Sequence, residues 1–388
     1  MFSSRLPADL APTPLARAME IARLSGSDVI DLTETNPTRA GFAYPDLHTV
    51  FAGVDLAAYD PDPRGLAVAR QAIAADYARR GVRVDPDRIL LTASSSESYA
   101  YLFKILCDPG DSVLVPVPSY PLFDHLAGLE AVRLVPYRLE YHDAWRLDAD
   151  DLVGRLDDRV RAILVVSPNN PTGSVLRRGD RDRLAAICAE RQLALIGDEV
   201  FADFPIDAPS DWAVSVIDQP KALSVSLGGL SKSAGLPHLK LGWMALGGPD
   251  DLVEAALDRL ELVADTYLSV GSPVQRATPR LLQLGSLVRD QIAARLSQNE
   301  RTLRQAAAGY PACRVLPVEG GWSAVVRVPA TRTDEEWALT LVERARVIVF
   351  PGFFFDFERD GHLVVSLLVT PVDFERGITR LFETIDRG

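Results

Sequence analysis

The chain has 388 residues, a formal net charge of −12 and no basic block, which argues against nucleic acid or anionic membrane as a partner. With 47% hydrophobic and 24% charged residues it has the composition of a globular protein, long enough for two or three domains. Cys107, Cys188 and Cys313 lack metal or CxxC spacing and the five histidines do not cluster, so structural thiols in a reducing cytoplasm and no metal site are expected. The N-terminus lacks the apolar core of a signal peptide, and no apolar run approaches the roughly 20 residues of a membrane span.

In chain order, prolines 7, 12 and 14 precede a helical stretch over 15–24 and a short strand over 28–32. Residues 33–44 read as an ordered loop, 60–65 as a turn and 66–80 as an amphipathic helix stopped by Gly81. From there strands alternate with helices. The strands are 89–92, 112–117, 131–137, 161–167, 193–197, 222–227 and 241–246; the helices are 94–106, 120–128, 180–191 and 250–266. This alternation predicts an α/β fold, a mostly parallel sheet with helices on both faces. A long helix over 288–307 then leads to strands 314–317, 323–328, 346–350 and 363–367 and helices 334–344 and 373–386, a smaller α+β unit. The expected organisation is an arm and part of the small domain in 1–45, a large cofactor-binding domain in 46–285 and the rest of the small domain in 286–388.

Open α/β sheets bind ligands beyond the carboxyl ends of their strands. The first such end carries Ser94, Ser95 and Ser96, which suit either a phosphate at a helix N-terminus or a plain helix cap. The next carries Tyr120, able to stack on a flat ring or simply to occupy a turn. Then come Asn170-Pro171-Thr172-Gly173, a turn whose amide can donate to a phenolic oxygen, and Asp198, which can hold a pyridinium proton or cap a helix. After strand 222–227 and Gly228-Gly229 stands Lys232. It is either a solvated loop lysine or an amine held in a cleft, able to condense with an aldehyde to a Schiff base.

As an ordered set, Asn170-Pro171-Thr172-Gly173, Asp198-Glu199, Ser231-Lys232 and Lys240-Leu241-Gly242-Trp243 resemble the class I/II aminotransferases of fold type I, over nearly the whole chain. The resemblance implies pyridoxal phosphate as cofactor. It makes Lys232 the lysine that binds the cofactor and then moves a proton between Cα and C4′, and Asp198 the partner of the ring nitrogen. Asn170 becomes the donor to the 3-oxygen, Tyr120 the stacking ring, and Ser95 and Ser96 phosphate ligands. Tyr59, in the run ending Arg64-Gly65, resembles a tyrosine reaching the neighbouring subunit's phosphate, which implies a homodimer with shared sites. The function implied is ping-pong transfer of an amino group between an amino acid and a 2-keto acid. The alternatives are a lyase or decarboxylase on the same scaffold, or a non-catalytic effector-binding module. For the last, the roughly 30 residues before the first strand are too few to hold a DNA-binding domain.

Four positions depart from the family pattern. Lys240 replaces an arginine, keeping charge but losing the bidentate fork. Gly229 stands where a serine is common, leaving Ser231 as the candidate phosphate hydroxyl. Phe201 replaces a tyrosine that donates to the ring oxygen. Val364 takes the place of the arginine that grips the substrate carboxylate, so either the substrate lacks a carboxylate there or another cation binds it; Arg39, on the loop with Asn36, is the candidate, and is otherwise a solvated loop arginine. Trp322 and residues 353–355 then add an aromatic wall suited to an apolar donor.

Overall fold

The computed structural model describes residues 3–7, 9–25, 28–55, 57, 59 and 61–388; Asp60 of the expected 60–65 turn lies outside them. Helix α1 (Pro14–Leu24) starts on a Thr13 cap and buries Leu15, Met19 and Ala22. After β1 (Ile30–Asp31), α2 (Leu47–Phe51) and α3 (Ala67–Arg79) comes the alternating region. It runs β2 (Ile89–Thr92), α4 (Ser95–Leu106), β3 (Ser112–Val117), α5 (Phe123–Leu129), β4 (Arg133–Tyr141), β5 (Trp145–Leu147) and α6 (Ala149–Gly154). It continues through β6 (Val160–Val166), α7 (Arg178–Arg191), β7 (Ala194–Asp198), β8 (Ser224–Gly229), α8 (Leu230–Ser233) and β9 (Gly242–Gly247).

Strands β2 to β9 form one sheet in the order β2-β9-β8-β7-β6-β3-β4-β5. β4, β3, β6, β7 and β8 are mutually parallel. β9 is antiparallel to both β8 and β2, so β2 points the same way as the parallel set, while β5 folds back on β4. The carboxyl ends of β2, β3, β6, β7 and β8 therefore open on one edge of the sheet. Both faces of the central strands are covered: every residue of β7 and β8 is buried, including the polar Ser224, Ser226 and Asp198.

The rest of the chain comprises α9 (Asp250–Tyr267), α10 (Ser272–Ala307), β10 (Arg314–Val315), β11 (Ser323–Arg327), α11 (Asp334–Thr340), β12 (Val347–Ile348), β13 (Phe350–Pro351), β14 (His362–Ser366) and α12 (Pro371–Asp386). β10-β11-β14-β13 form an antiparallel sheet. The run 346–350, expected as one strand, divides between two sheets: β12 pairs with β1, and β13 with β14. The helix expected over 288–307 starts sixteen residues earlier, at Ser272, with Pro279 inside it, so the expected boundary at 285/286 falls within α10. Ala277, Leu281 and Leu282 of α10 pack in a core with strands of the large sheet. Val288, Ile292, Leu296 and Leu303 pack in a second core with α1, β11, β14 and α12. Phe374, Ile378, Leu381, Phe382 and Ile385 of α12 are buried there too, each side chain contributing on the order of 2 kcal/mol of transfer free energy. Among the described residues no helix is long and apolar enough to cross a membrane, and no acidic, His or Cys cluster can hold a metal.

Candidate active site

The strand ends converge on a cavity of about 240 Å³ lined by Ser95, Ser96, Tyr120, Asn170, Asp198, Lys232 and Trp322. A wider groove of about 360 Å³ is bordered by Arg138, Tyr141, Trp145, Arg327 and His362. Neither Lys232 nor Asp198 borders that groove, so the smaller cavity is the candidate active site.

Each wall has a local cause. Ser94 caps α4 by accepting from Glu97 N at 3.2 Å, and the Glu97 carboxylate accepts from Ala93 N at 2.6 Å. The first-turn amides of Ser95 and Ser96 have no acceptor within their own helix, which makes this end of α4 suited to an anion. Gly242 of β9 lets this turn sit low: a Cβ there would lie 2.8 Å from the Ser94 carbonyl carbon. Asn169 closes the next turn by accepting from Thr172 N at 3.2 Å and from its hydroxyl at 2.8 Å. Gly173 ends that turn at φ +68°, and its carbonyl accepts from Glu319 N and Gly320 N. That contact carries the following Trp322 to the cavity. Asn170 Oδ1 accepts from Ser323 Oγ at 3.3 Å.

Asp198, the last residue of β7, is 8% exposed. Burial raises its pKa, opposed by hydrogen bonds from the Tyr99 hydroxyl to Oδ2 at 2.8 Å and Val200 N to Oδ1 at 3.3 Å, and by the Lys232 charge. Lys232 sits in α8 immediately after β8. Its Nζ lies 4.8 Å from the Trp322 ring centre and 5.7 Å from that of Phe201. Burial lowers its pKa from 10.5 to about 8, with Asp198 opposing. A buried carboxylate thus faces the same space as an amine that loses its proton easily. With a helix N-terminus and an exposed tyrosine ring (Tyr120, 42%) beside them, these donors fit a flat, phosphorylated heteroaromatic aldehyde.

Other expected positions do not border the cavity. Ser231 is partly buried beside Lys232, and Lys240 is exposed in the left-handed region at φ 51°. Tyr59 is 72% exposed and stands with Pro61, Ser269 and Gln275 in a separate groove. Arg39 is exposed; Asn36 turns inward on its own loop, accepting from Thr38 N at 3.0 Å and its hydroxyl at 2.7 Å. Thr35 is the residue of that loop that lines the cavity. Val364 is 1% exposed, packed with Trp145, Leu316, Val325 and Phe355. Of residues 353–355, Phe354 and Phe355 line the cavity with Phe350, whereas Phe353 points away and is 42% exposed. At Gly229 a side chain would press on Leu241 O at 3.2 Å, so a serine there would require β9 to give way. Sequence reasoning missed Thr35, Tyr99, Phe123, Val200, Ser323 and Phe350. Only Tyr99 had a usable signal, lying one helical turn after Ser95 and so on the same face.

The sequence profile described as aminotransferase class I and II matches residues 32–381. The chain is 26% identical over 376 residues to glutamate-pyruvate aminotransferase AlaA of Escherichia coli, covering 95% of this chain and 93% of that protein. It is 26% identical over 366 residues to alanine aminotransferase of Mycobacterium tuberculosis, covering 92% and 85% respectively. Its fold matches that of alanine aminotransferase from Pyrococcus furiosus with a TM-score of 0.89 over the whole of both chains at 24% identity. A profile spanning nearly the full length, joined to the geometry at the strand ends, places this chain in the class I and II aminotransferases.

Proposed function

We propose that this aminotransferase works with pyridoxal phosphate held in the Lys232 cavity, and that two copies pair in a reducing cytoplasm. When bound, the cofactor supplies an aldehyde that takes up the amino group and a ring that accepts electrons from the substrate Cα. Lys232 would hold the cofactor through its neutral amine and, with the amino donor bound in its place, would act as the base that carries a proton at the substrate Cα. Asp198 would hold a proton at the ring nitrogen. Asn170 would donate to the ring oxygen without help from Phe201, which has no hydroxyl. Tyr120 would stack on the ring. The first turn of α4, with Ser95 and Ser96, would bind the phosphate, joined by Ser231 and Lys240 from the segment that follows β8. Tyr59, exposed in one copy, is assigned to the neighbouring copy's phosphate, which is the basis for the homodimer.

The observation that carries this reading is the pairing of Lys232, its pKa lowered to about 8, with buried Asp198 across one cavity. Wild-type protein given pyridoxal phosphate should develop a visible absorbance band, and an amino donor should convert it to the near-ultraviolet band of the aminated cofactor. Lys232→Ala should give neither. A variant that keeps the visible band, or donors that release only ammonia or carbon dioxide, would overturn the assignment.

Among the described lining residues the charged groups are Lys232 and Asp198, both committed to the cofactor; Phe350, Phe354, Phe355 and Trp322 form the remaining wall. An uncompensated charge against these rings is costly. The donor is therefore read as an amino acid with an apolar side chain, its carboxylate directed to the Asn36–Arg39 loop beside Thr35. The names of the relatives include alanine and pyruvate, which agree with a small apolar partner, and also glutamate, which does not. Donor kcat/KM should favour alanine, leucine or phenylalanine over aspartate by at least about tenfold; an aspartate preference sinks the apolar reading.

A further inference from the structure

Behind the cavity stands a buried phenol that the scheme above does not use. Tyr99 is 2% exposed and donates its hydroxyl proton to Asp198 Oδ2 at 2.8 Å. Its ring meets Phe123 edge-on at 5.3 Å and lies tilted against Phe103 at 6.0 Å. Phe123 meets Tyr120 edge-on at 6.1 Å, and both border the cavity. The phenol is therefore fixed in place by the same helix whose first turn presents Ser95 and Ser96. Burial and the adjoining Asp198 charge push Tyr99 ionisation well above its ordinary value, so the group stays a donor at any working pH.

Asp198 is faced by Tyr99 from α4, Val200 N from its own segment, Lys232 from α8 and Tyr120 from the β3–α5 connection. Of these, Lys232 cannot be a constant influence, because the proposed reaction repeatedly changes its bonding. Val200 N bonds Oδ1 at 3.3 Å, which is long. Tyr99 supplies the shortest hydrogen bond to the carboxylate, and it is independent of the catalytic cycle.

We propose that Tyr99 is a positioning residue for Asp198: its hydroxyl holds the carboxylate charged and aimed, so that Asp198 retains the proton on the ring nitrogen. The proposal rests on the reading of Asp198 given above. Phe201 offers no hydroxyl near the ring oxygen, so the phenolic donor of this site acts at the nitrogen end instead. Without Tyr99, Oδ2 loses its donor in a dry environment and Asp198 takes up a proton more readily. The ring nitrogen then carries less positive charge, the ring withdraws fewer electrons, and Cα proton removal slows.

The test compares wild-type and Tyr99→Phe holoenzymes. The pH midpoint of the visible band should rise by about one unit and kcat should fall about tenfold to a hundredfold, as for loss of a hydrogen bond to a buried charge. The KM for the amino donor should stay within about twofold. The same pair is then loaded with a cofactor analogue carrying carbon in place of the ring nitrogen. There the two proteins should titrate alike, because no nitrogen proton remains to be held. Tyr99→His, which can return an N–H to Asp198, should recover part of the shift. An unchanged midpoint and kcat in Tyr99→Phe, or an equal shift with the carbon analogue, overturns the proposal and leaves Tyr99 a packing residue. A wild-type protein that gives no visible band overturns the cofactor reading as well, a result distinguishable from the other two.

Discussion

The cofactor-free protein should capture pyridoxal phosphate with a pH dependence set by a buried amine. Burial lowers the Lys232 pKa from 10.5 to about 8. At about pH 7 such an amine is about 9% neutral, against about 0.03% for an ordinary lysine, a difference of roughly 300-fold or about 3 kcal/mol. Only the neutral amine attacks an aldehyde. Rapid mixing from about pH 6 to about pH 10, followed through the visible band, should show the capture rate rising about tenfold per pH unit and flattening near pH 8. The same shift bears on stability with a definite sign. Between about pH 8 and 10.5 the unfolded chain binds a proton at this lysine that the folded chain does not, so stability of the cofactor-free protein rises with pH there. Below about pH 8 both states are protonated and the full cost remains. A capture rate that climbs unbroken through pH 10 would refute the reasoning. So would borohydride reduction that labels Lys104, Lys221 or Lys240, the other three of the four lysines.

Two further substitutions probe the frame of the site. Gly242→Ala places a Cβ 2.8 Å from the Ser94 carbonyl carbon and 3.1 Å from Ser95 N, where only backbone can yield. Cofactor Kd measured by fluorescence quenching should rise at least about fivefold, consistent with about 1–3 kcal/mol of overpacking; an unchanged Kd would remove the α4 turn from the phosphate role. Glu319→Gln breaks a buried pair with Arg177, which keeps only a 3.4 Å contact to Asp211, while Val175 N retains an oxygen acceptor in place of Glu319 Oε2. Denaturant unfolding should show a loss of about 3 kcal/mol, and a loss below about 0.5 kcal/mol would mean that the pair contributes nothing net.

The strand ends were legible because buried parallel strands are largely apolar, so a run gives way to polar, turn-forming residues where it leaves the sheet. Asp198 is the first polar residue of its run, while Asn170 and Lys232 follow theirs within a few residues. Longer-range facts left weaker marks. The helix expected over 288–307 begins at Ser272 and runs through Pro279 and Gly285, residues of low helix propensity. Gly285 serves close packing: a Cβ there would lie 2.5 Å from the Ala234 Cβ, next to the segment that carries Lys232. Run 346–350 looked like one strand because its pairing partners, β1 and β14, lie far away in the sequence and on different sheets. The helical spacing puts Tyr99 on the face of Ser95, but its partner Asp198 lies 99 positions along the chain and left no local mark. Arg39 shows the opposite limit. Its charge was visible, but the direction of a loop side chain was not, and it faces solvent.

Helix α10 belongs to two cores, and where it passes from one to the other Arg289 Nη1 donates to Ser233 O at 2.9 Å, one residue beyond Lys232. Melting either core strips one flank from a helix whose halves are only marginally stable alone. The fraying then runs along the shared helix into the other core, past the rung that Pro279 cannot donate. Heat should therefore dismantle the C-terminal sheet and the lysine segment in one calorimetric transition, so that loss of tertiary structure far from the cavity reaches the residue proposed to hold the cofactor.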